Sequence, residues 1–201
     1  MPVLESPFAQ LRLIRQPEQQ NEPLQAFDAA DEYLLNHVAE QRLPAGSRVL
    51  ILNDSFGALA ISLVATMKVT SSSDSFLAIQ ALEKNLVLNG HAFNAVTITP
   101  ASEPLTGPFD CVLVRVPKTL ALLEEQLIRL QGQLAPNAQV VAGAMVKHLP
   151  RAAGDLLERY VGRVQASLAV KKARLLIATP EVKERFVSPY PSRYKIGRAH
   201  V

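Results

Sequence analysis

The sequence contains a single cysteine, Cys111, among 201 residues, so it cannot form an internal disulfide. Cys111 lies inside an apolar run, which favours a buried packing role over a reactive thiol. The longest apolar run, residues 57–67, is too short to cross a bilayer. Residues 1–11 have neither the basic start nor the long apolar segment of a secretory signal. We therefore expect a cytoplasmic protein without membrane contact.

The motifs of common catalytic centres are also missing. The four histidines are far apart, and none stands with a cysteine or a carboxylate at the spacing of a metal site. No Gly-x-Ser-x-Gly nucleophile motif is present. His148, next to Lys147, either contacts a phosphate or lies on an exposed loop. The sequence therefore predicts neither a metal centre nor a catalytic nucleophile.

What the chain does have is an alternation of strand-like and helix-like segments, with 48% apolar residues to build a core. The first helix is expected to start at Pro23. Two final β-rich runs adjoin at Lys171-Lys172 with no room for a helix, so they should pair antiparallel. Five strands with intervening helices are expected at residues 48–52, 67–71, 95–99, 109–114 and 139–144. We therefore predict an α/β fold, a Rossmann-like S-adenosylmethionine-methyltransferase sheet of five parallel strands plus an antiparallel pair.

The first strand-loop of such a sheet needs glycines so that the backbone can approach the cofactor. Here Asn53, Asp54 and Gly57 frame a loop with one glycine, and Phe56 fills the space where a ligand would approach. Asp74, after the second strand, is placed to accept ribose hydroxyls, or alternatively to serve the next helix as an N-terminal cap or first-turn charge. The cofactor site is thus expected to be degenerate, with no S-adenosylmethionine bound by this domain.

Positive charge is concentrated at the carboxyl-terminal end of the sequence. Residues 111–201 hold fifteen Lys and Arg against six Asp and Glu, a net charge of +9 (15 − 6). This is the footprint of a phosphate-backbone binder, although a solvated basic face has the same composition. The cations expected to contact RNA are Arg115, Lys118, Lys147, Arg151, Lys171, Lys172 and Arg174.

The loop after the fourth strand is part of this basic set. An amino-group methyltransferase would carry an amide side chain and prolines there, whereas this chain has Arg115-Val116-Pro117-Lys118. Arg115 and Lys118 are expected to project from the carboxyl edge of the sheet, although Lys118 could instead serve the turn before the next helix. Lys147 and Arg151 should lie at the same edge, because their strand runs parallel to the fourth. The Lys171-Lys172 turn either extends this surface or lies apart from it.

Four segments carry a family resemblance. They are residues 28–35, residues 49–59, the string Val-Pro-Lys-Thr-Leu-Ala-Leu-Leu-Glu at 116–124, and residues 171–175. Together they resemble the amino-terminal domain of the bacterial ribosomal RNA guanine-N2 methyltransferases, and the enzymes of the large ribosomal subunit most closely. The resemblance implies two tandem methyltransferase-like domains. The first has lost its cofactor motifs and helps to bind ribosomal RNA, whereas the second binds S-adenosylmethionine and carries an Asn-Pro-Pro-Phe loop that this chain does not contain.

Three functions remain open from the sequence. The favoured one is the RNA-recognition half of a large-subunit ribosomal RNA guanine-N2 methyltransferase, with ribosomal RNA and its own carboxyl-terminal catalytic domain as partners. A small-subunit enzyme of the same family is a variant of this function. The second is an active stand-alone methyltransferase. The third is a purely structural domain that binds only its catalytic partner.

The expected domain organisation follows from the same resemblance. Residues 1–22 form an amino-terminal extension and residues 23–180 a non-catalytic methyltransferase-like domain. Residues 181–195 begin an interdomain linker. Residues 196–201 can be encoded by a nucleotide sequence that matches the start of a common sequencing-adapter oligonucleotide, so we expect an adapter-derived tail; a natural carboxyl terminus is the alternative.

Overall fold

The computed structural model of the chain describes residues 2–20, 24–184 and 186–189. The strands are β1 (Val3–Glu5), β2 (Gln10–Arg12), β3 (Arg48–Leu52), β4 (Lys68–Ser73), β5 (Thr97–Pro100), β6 (Phe109–Arg115), β7 (Leu134–Met145), β8 (Gly162–Ala166) and β9 (Ala173–Pro180). The helices are α1 (Ala29–Gln41), α2 (Ala58–Leu63), α3 (Phe76–Leu88), α4 (Leu120–Arg129) and α5 (Arg151–Tyr160). A short 3-10 helix, Val146–His148, follows β7. None of the described helices is long and apolar enough to span a membrane.

Seven of the strands form one sheet in the order β5-β4-β3-β6-β7-β9-β8. The first five in this order are parallel to one another, whereas β9 runs antiparallel to both β7 and β8. The predicted methyltransferase-type sheet, five parallel strands with an antiparallel pair, is confirmed. The chain order reverses between β3 and β6, and in open α/β sheets this switch point is where ligands bind. We call the sheet edge at the last residues of the five parallel strands the carboxyl edge.

Helices cover both faces of this sheet, which explains the continuous apolar runs in β3 and β6. On one face α1, α2 and α3 pack against the sheet through side chains such as Leu34 and Leu59. On the other face α4 and α5 pack through Leu123 and Leu157. Cys111 lies buried in β6, and burial raises the pKa of its thiol to about 12. The predicted packing role of this cysteine is therefore confirmed.

The first residues of the chain form a β1-β2 hairpin that belongs to the core. Leu4 and Leu11 are buried with the residues of the α1–α3 face. Asn85 of α3 accepts from the amide of Ile14 at 2.9 Å and donates to its carbonyl at 2.9 Å. Asn89 makes the same pair of bonds with the backbone of Arg12. No pattern in the sequence indicates this docking, and the segment that we interpreted as an extension packs against the domain.

Helix α1 begins at Ala29, later than predicted; Pro23, where we expected its start, lies outside the described residues. The reason is a capping box. The Asp28 carboxylate accepts from the amides of Ala30 and Asp31, and the Asp31 carboxylate accepts from the Asp28 amide at 3.0 Å. These bonds satisfy amides of the first turn and fix where the helix starts.

After β9 the chain packs beside the carboxyl-terminal ends of α4 and α5. The side chain of Gln131 donates to the carbonyl of Phe186 at 2.9 Å and accepts from its amide at 2.6 Å. The Phe186 ring packs edge-on against Tyr160, with ring centroids 4.8 Å apart. This part of the proposed linker is thus held on the domain. The expected adapter-derived tail, residues 196–201, lies outside the described residues.

Candidate functional site

The end of β6 at the carboxyl edge is occupied by a buried ion cluster. Arg115 lies on the sheet face that packs against α1, where its side chain is 20% exposed. Its Nη1 donates to Asp28 Oδ1 at 2.6 Å and to Asp31 Oδ1 at 2.7 Å, and its Nη2 donates to Asp28 Oδ2 at 2.8 Å. The prediction that Arg115 projects from the edge as a free cation is wrong, because the first turn of α1 brings two carboxylates to it. Arg115 thereby fixes α1 to β6.

The charges of this ion cluster (Asp28, Asp31 and Arg115) set one another's protonation. Burial alone raises the pKa of Asp28, but the hydrogen bonds and charge of Arg115 outweigh it, and the pKa lies below its usual range. Burial and the charge of Asp28 raise the pKa of Asp31 in spite of Arg115. The two carboxylates outweigh the burial of Arg115 and raise the pKa of the guanidinium. The two carboxylates thus share a single cation.

Side-chain amides span the switch point between β3 and β6. Asn53 follows β3 with a left-handed φ of 67°, and its Nδ2 donates to the Arg115 carbonyl at 3.0 Å and to Gln126 Oε1 at 2.9 Å. Gln126 Nε2 donates in return to Asn53 Oδ1 at 2.7 Å. We call Asn53 and Gln126 the amide bridge. Sequence reasoning missed Gln126, although a polar residue on the apolar stripe between Leu123 and Leu130 was the available signal.

The other residues of the predicted degenerate pocket lie around the amide bridge. Asp54 is buried; its Oδ2 accepts from the Ala60 amide at 3.0 Å, and its Oδ1 has no hydrogen-bond partner within the described part of the chain. Burial, and then the charge of Asp31, raise the pKa of Asp54 to about 7. Gly57 precedes α2 with a φ of +91°, and a Cβ there would lie 2.8 Å from Ile61 Cδ1, so this position requires glycine.

Phe56 and Asp74 differ from their predicted roles. Phe56 packs against the core of the α1–α3 face, and its ring lies under the Arg15 guanidinium, 4.8 Å from the centroid. The groups that fill the switch point are those of the amide bridge. Asp74 is exposed at the end of β4, and Ser75, not Asp74, caps α3 by accepting from the Ala78 amide. The capping part of the alternative is therefore wrong, whereas a favourable charge next to the helix start stays a prediction.

The remaining cations of the carboxyl edge are exposed. Lys118 lies in the loop after β6, Lys147 in the 3-10 helix after β7, and Arg151 at the first residue of α5. Among the described residues, no carboxylate lies within ion-pair distance of these three side chains, and Lys118 makes no hydrogen bond that would give it a role in the turn. The structure thus brings together cations from two loops that are separate in sequence.

The Lys171-Lys172 turn extends this same surface. The Lys172 carbonyl accepts from the Val146 amide at 2.8 Å, so the turn lies directly beside Lys147. Lys171 is exposed and lies 3.8 Å from Glu32. Arg174, on β9, is half-buried on the α5 side, and its Nε is buried without a partner in the described residues. We call Lys118, Lys147, Arg151, Lys171 and Lys172 the basic edge.

A protein-family model matches almost the whole described chain. The model described as the RLMG N-terminal domain matches residues 1–182. Relatives named "Ribosomal RNA large subunit methyltransferase G" include the protein of Pseudomonas fluorescens (strain Pf0-1), 79% identical over 196 residues. That of Ectopseudomonas mendocina (strain ymp) is 69% identical over 198 residues. Each match covers 98% of this chain and 52% or 53% of the relative, so the chain spans about half the length of these curated relatives.

Solved structures share the fold at lower identity. The T. thermophilus 16S rRNA N2 G1207 methyltransferase (RsmC), in complex with AdoMet and guanosine, has a TM-score of 0.70 at 21% identity. That match covers 89% of this chain and 50% of the other. The precorrin 8w decarboxylase of Methanobacterium thermoautotrophicum has a TM-score of 0.63 at 19% identity, over 84% of this chain and 97% of that one. Both likenesses concern the fold alone.

Proposed function

The chain belongs to the RLMG N-terminal domain family, and from this premise we propose that it is the RNA-recognition half of a ribosomal RNA (guanine-N2)-methyltransferase acting on large-subunit RNA in the cytoplasm. In this proposal the methyl group of S-adenosylmethionine is transferred by a carboxyl-terminal catalytic domain, which the relatives' additional length accommodates. The partners are then ribosomal RNA and that catalytic domain.

The observation that carries the RNA contact is the basic edge itself. Three separate loops place exposed cations at one edge of the sheet, and the Val146–Lys172 hydrogen bond joins two of these loops directly. Within the described part of the chain, Lys171 lies 3.8 Å from Glu32, whereas Lys118, Lys147, Arg151 and Lys172 have no carboxylate partner. These four cations keep their charge available for phosphate oxygens. We leave Arg115 out of this role because both of its Nη groups are bonded to Asp28 and Asp31.

Salt dependence tests this RNA contact. We expect the Lys118→Ala/Lys147→Ala double variant to bind a large-subunit ribosomal RNA fragment more weakly than the unchanged chain. The slope of log affinity against log salt should fall by about 0.7–0.9 for each lysine, because each lost phosphate contact releases fewer counterions. Fluorescence anisotropy from 50 to 300 mM KCl measures both quantities.

The matched control is Lys68→Ala/Lys84→Ala. Both lysines are exposed, and they lie at the start of β4 and on α3, away from the carboxyl edge. This control changes the net charge by the same amount and should keep the slope of the unchanged chain. If the two double variants lose affinity equally, binding is a property of total charge and the proposed surface is wrong.

We also propose that this domain does not bind S-adenosylmethionine. The loop after β3 offers one glycine, and the amide bridge uses its own donors and acceptors at the switch point. A cofactor there would have to break three hydrogen bonds and leave the Arg115 carbonyl without its side-chain donor. Titration calorimetry should show no binding tighter than about 100 μM, roughly 5.5 kcal/mol. A tighter isotherm that Asp74→Asn weakens would contradict this proposal.

A further inference from the structure

The tip of the β8-β9 hairpin has a backbone geometry that its sequence disfavours. Val170 and Ala173 exchange backbone hydrogen bonds of 2.8 and 2.9 Å, so Lys171 and Lys172 form a two-residue turn between them. Their φ angles are 49° and 65°. Positive φ at both central positions defines a type I′ turn, for which Asn-Gly is strongly preferred. Two lysines in this turn carry conformational strain, which is characteristic of positions held for function.

The residues just before the turn are fixed rather than loose. Ser167 exchanges bonds with Leu175 of β9, since its amide donates to the Leu175 carbonyl and its Oγ accepts from the Leu175 amide, both at 2.9 Å. The Tyr33 hydroxyl, from α1, donates to the Leu168 carbonyl at 2.9 Å. On the other side of the turn the Val146 amide donates to the Lys172 backbone carbonyl. The hairpin tip is therefore connected to α1, to β9 and to the 3-10 helix.

This fixed backbone holds an apolar side chain out into solvent. Leu168 is 85% exposed, and Val170 beside it is 47% exposed. A leucine loses favourable free energy in water, and a flexible loop would let it fold back onto the protein. Its neighbours at the tip are two exposed lysines, and among the described residues their one ion-pair partner is Glu32, 3.8 Å from Lys171. The surface around Leu168 therefore keeps a net positive charge that attracts polyanions. An apolar side chain next to lysines on a rigid backbone is complementary to RNA. The apolar side chain can contact a base while the lysines contact the phosphates on either side of that base.

We propose that the hairpin tip is an RNA wedge, in which Leu168 packs against unstacked bases of a loop or bulge while Lys171 and Lys172 contact the flanking phosphates. Leucine is among the side chains that proteins insert at base steps. Bases in RNA loops and bulges are already splayed out and accessible, whereas those of a regular duplex are not. The inference rests on the proposed RNA-recognition function and assigns the non-electrostatic part of that recognition to one residue.

The experiment uses the 201-residue chain and two RNA probes. One is a stem-loop RNA with 2-aminopurine in the loop, and the other is a fully paired duplex of the same length and label. The unchanged chain should prefer the stem-loop and raise its 2-aminopurine fluorescence. Leu168→Ala should weaken stem-loop binding by about tenfold, the loss of roughly 1.4 kcal/mol of apolar contact, and abolish the fluorescence rise. The salt slope should not change, because no charge is removed.

The turn variant Lys171→Asn/Lys172→Gly should change the salt slope, which Leu168→Ala leaves unchanged. It should lower the salt slope by about 0.7–0.9 per lysine. Because it supplies the residues that a type I′ turn prefers, it should also raise the melting temperature by about 2–4 °C. A variant that is more stable but binds RNA less well cannot owe its loss to unfolding. Leu88→Ala, which removes an exposed leucine from the end of α3, is the control and should behave like the unchanged chain.

The outcomes separate this inference from the proposed function. If Lys118→Ala/Lys147→Ala weakens RNA binding but Leu168→Ala leaves affinity and fluorescence unchanged, the wedge is overturned and the proposed function stands. That result would also be obtained if Leu168 served a protein partner. If Leu168→Ala lowers affinity for the stem-loop and for the duplex by the same factor, Leu168 does not contact unstacked bases and the wedge is also overturned. A chain that binds neither RNA overturns both.

Discussion

Replacing Arg115 by alanine is expected to lower the free energy of unfolding by about 3–5 kcal/mol. The reason is that the substitution leaves the buried carboxylate of Asp31 beside the partly exposed carboxylate of Asp28 with no counter-charge. Breaking a buried ion pair by removing one partner costs this much, whereas removing both partners together costs far less. Urea unfolding at pH 7, followed by circular dichroism, measures the change.

Two further variants make this result specific. Lys118→Ala removes an exposed cation three residues away and should change stability by less than about 0.5 kcal/mol. Arg115→Met combined with Asp28→Asn and Asp31→Asn should recover much of the lost stability, because no uncompensated charge remains and asparagine is as good a helix cap as aspartate. If Arg115→Ala proves as harmless as Lys118→Ala, the ion cluster does not hold α1 to β6.

The sheet could be predicted from the sequence because each strand and helix is indicated by the pattern of its own residues. The apolar runs of β3 and β6 stand between clear helix patterns, and two β-rich runs with only Lys171 and Lys172 between them have no room for a crossover helix. Repeated strand-helix alternation followed by an antiparallel pair leaves few topologies, and the observed sheet has the five parallel strands and the antiparallel pair that were expected.

The role of Arg115 could not be predicted in the same way. A loop arginine in a basic half of the chain is typical of a phosphate contact, and its charge is correct for that role. Its partners, Asp28 and Asp31, lie more than eighty residues earlier in the sequence. They meet Arg115 only because α1 packs on β7 and β9, beside β6 in the sheet. Placing the start of α1 at Pro23 also concealed the capping box, whose aspartates would have been the one local clue.

The basic edge shows where prediction from sequence was partly sufficient. That Lys118 and Lys147 share one edge follows from parallel strands. Whether Lys172 joins them depends on a single hydrogen bond to Val146, and no pattern in the sequence specifies it. The exposed Leu168 gave no signal either, because a leucine in a β-rich run is normally read as core.

Asp54 provides the second large expected effect, which concerns pH. Burial disfavours its charged form, the charge of Asp31 adds to this, and Arg115 is already bonded within the ion cluster, so the pKa of Asp54 rises from its ordinary value of 3.8 to about 7. A pKa that is higher in the folded state than in the unfolded state means that the folded protein binds the extra proton. The stabilising contribution of protonated Asp54 is therefore complete below about pH 4 and is lost as pH rises through about 7.

We expect the stability of the unchanged chain, relative to Asp54→Asn, to fall by about 1.4 kcal/mol per pH unit between about pH 4 and pH 7 and to level off above. Asparagine keeps an oxygen for the Ala60 amide but cannot ionise, so the difference between the two proteins isolates Asp54 and its coupling to Asp31. Urea unfolding of both proteins at several pH values measures this difference. Asp74→Asn, at an exposed aspartate of the same edge, should run parallel to the unchanged chain. If the stability of Asp54→Asn against pH also runs parallel to that of the unchanged chain, Asp54 stays ionised in the folded protein. The folded domain would then supply a compensating charge that the ion cluster does not provide.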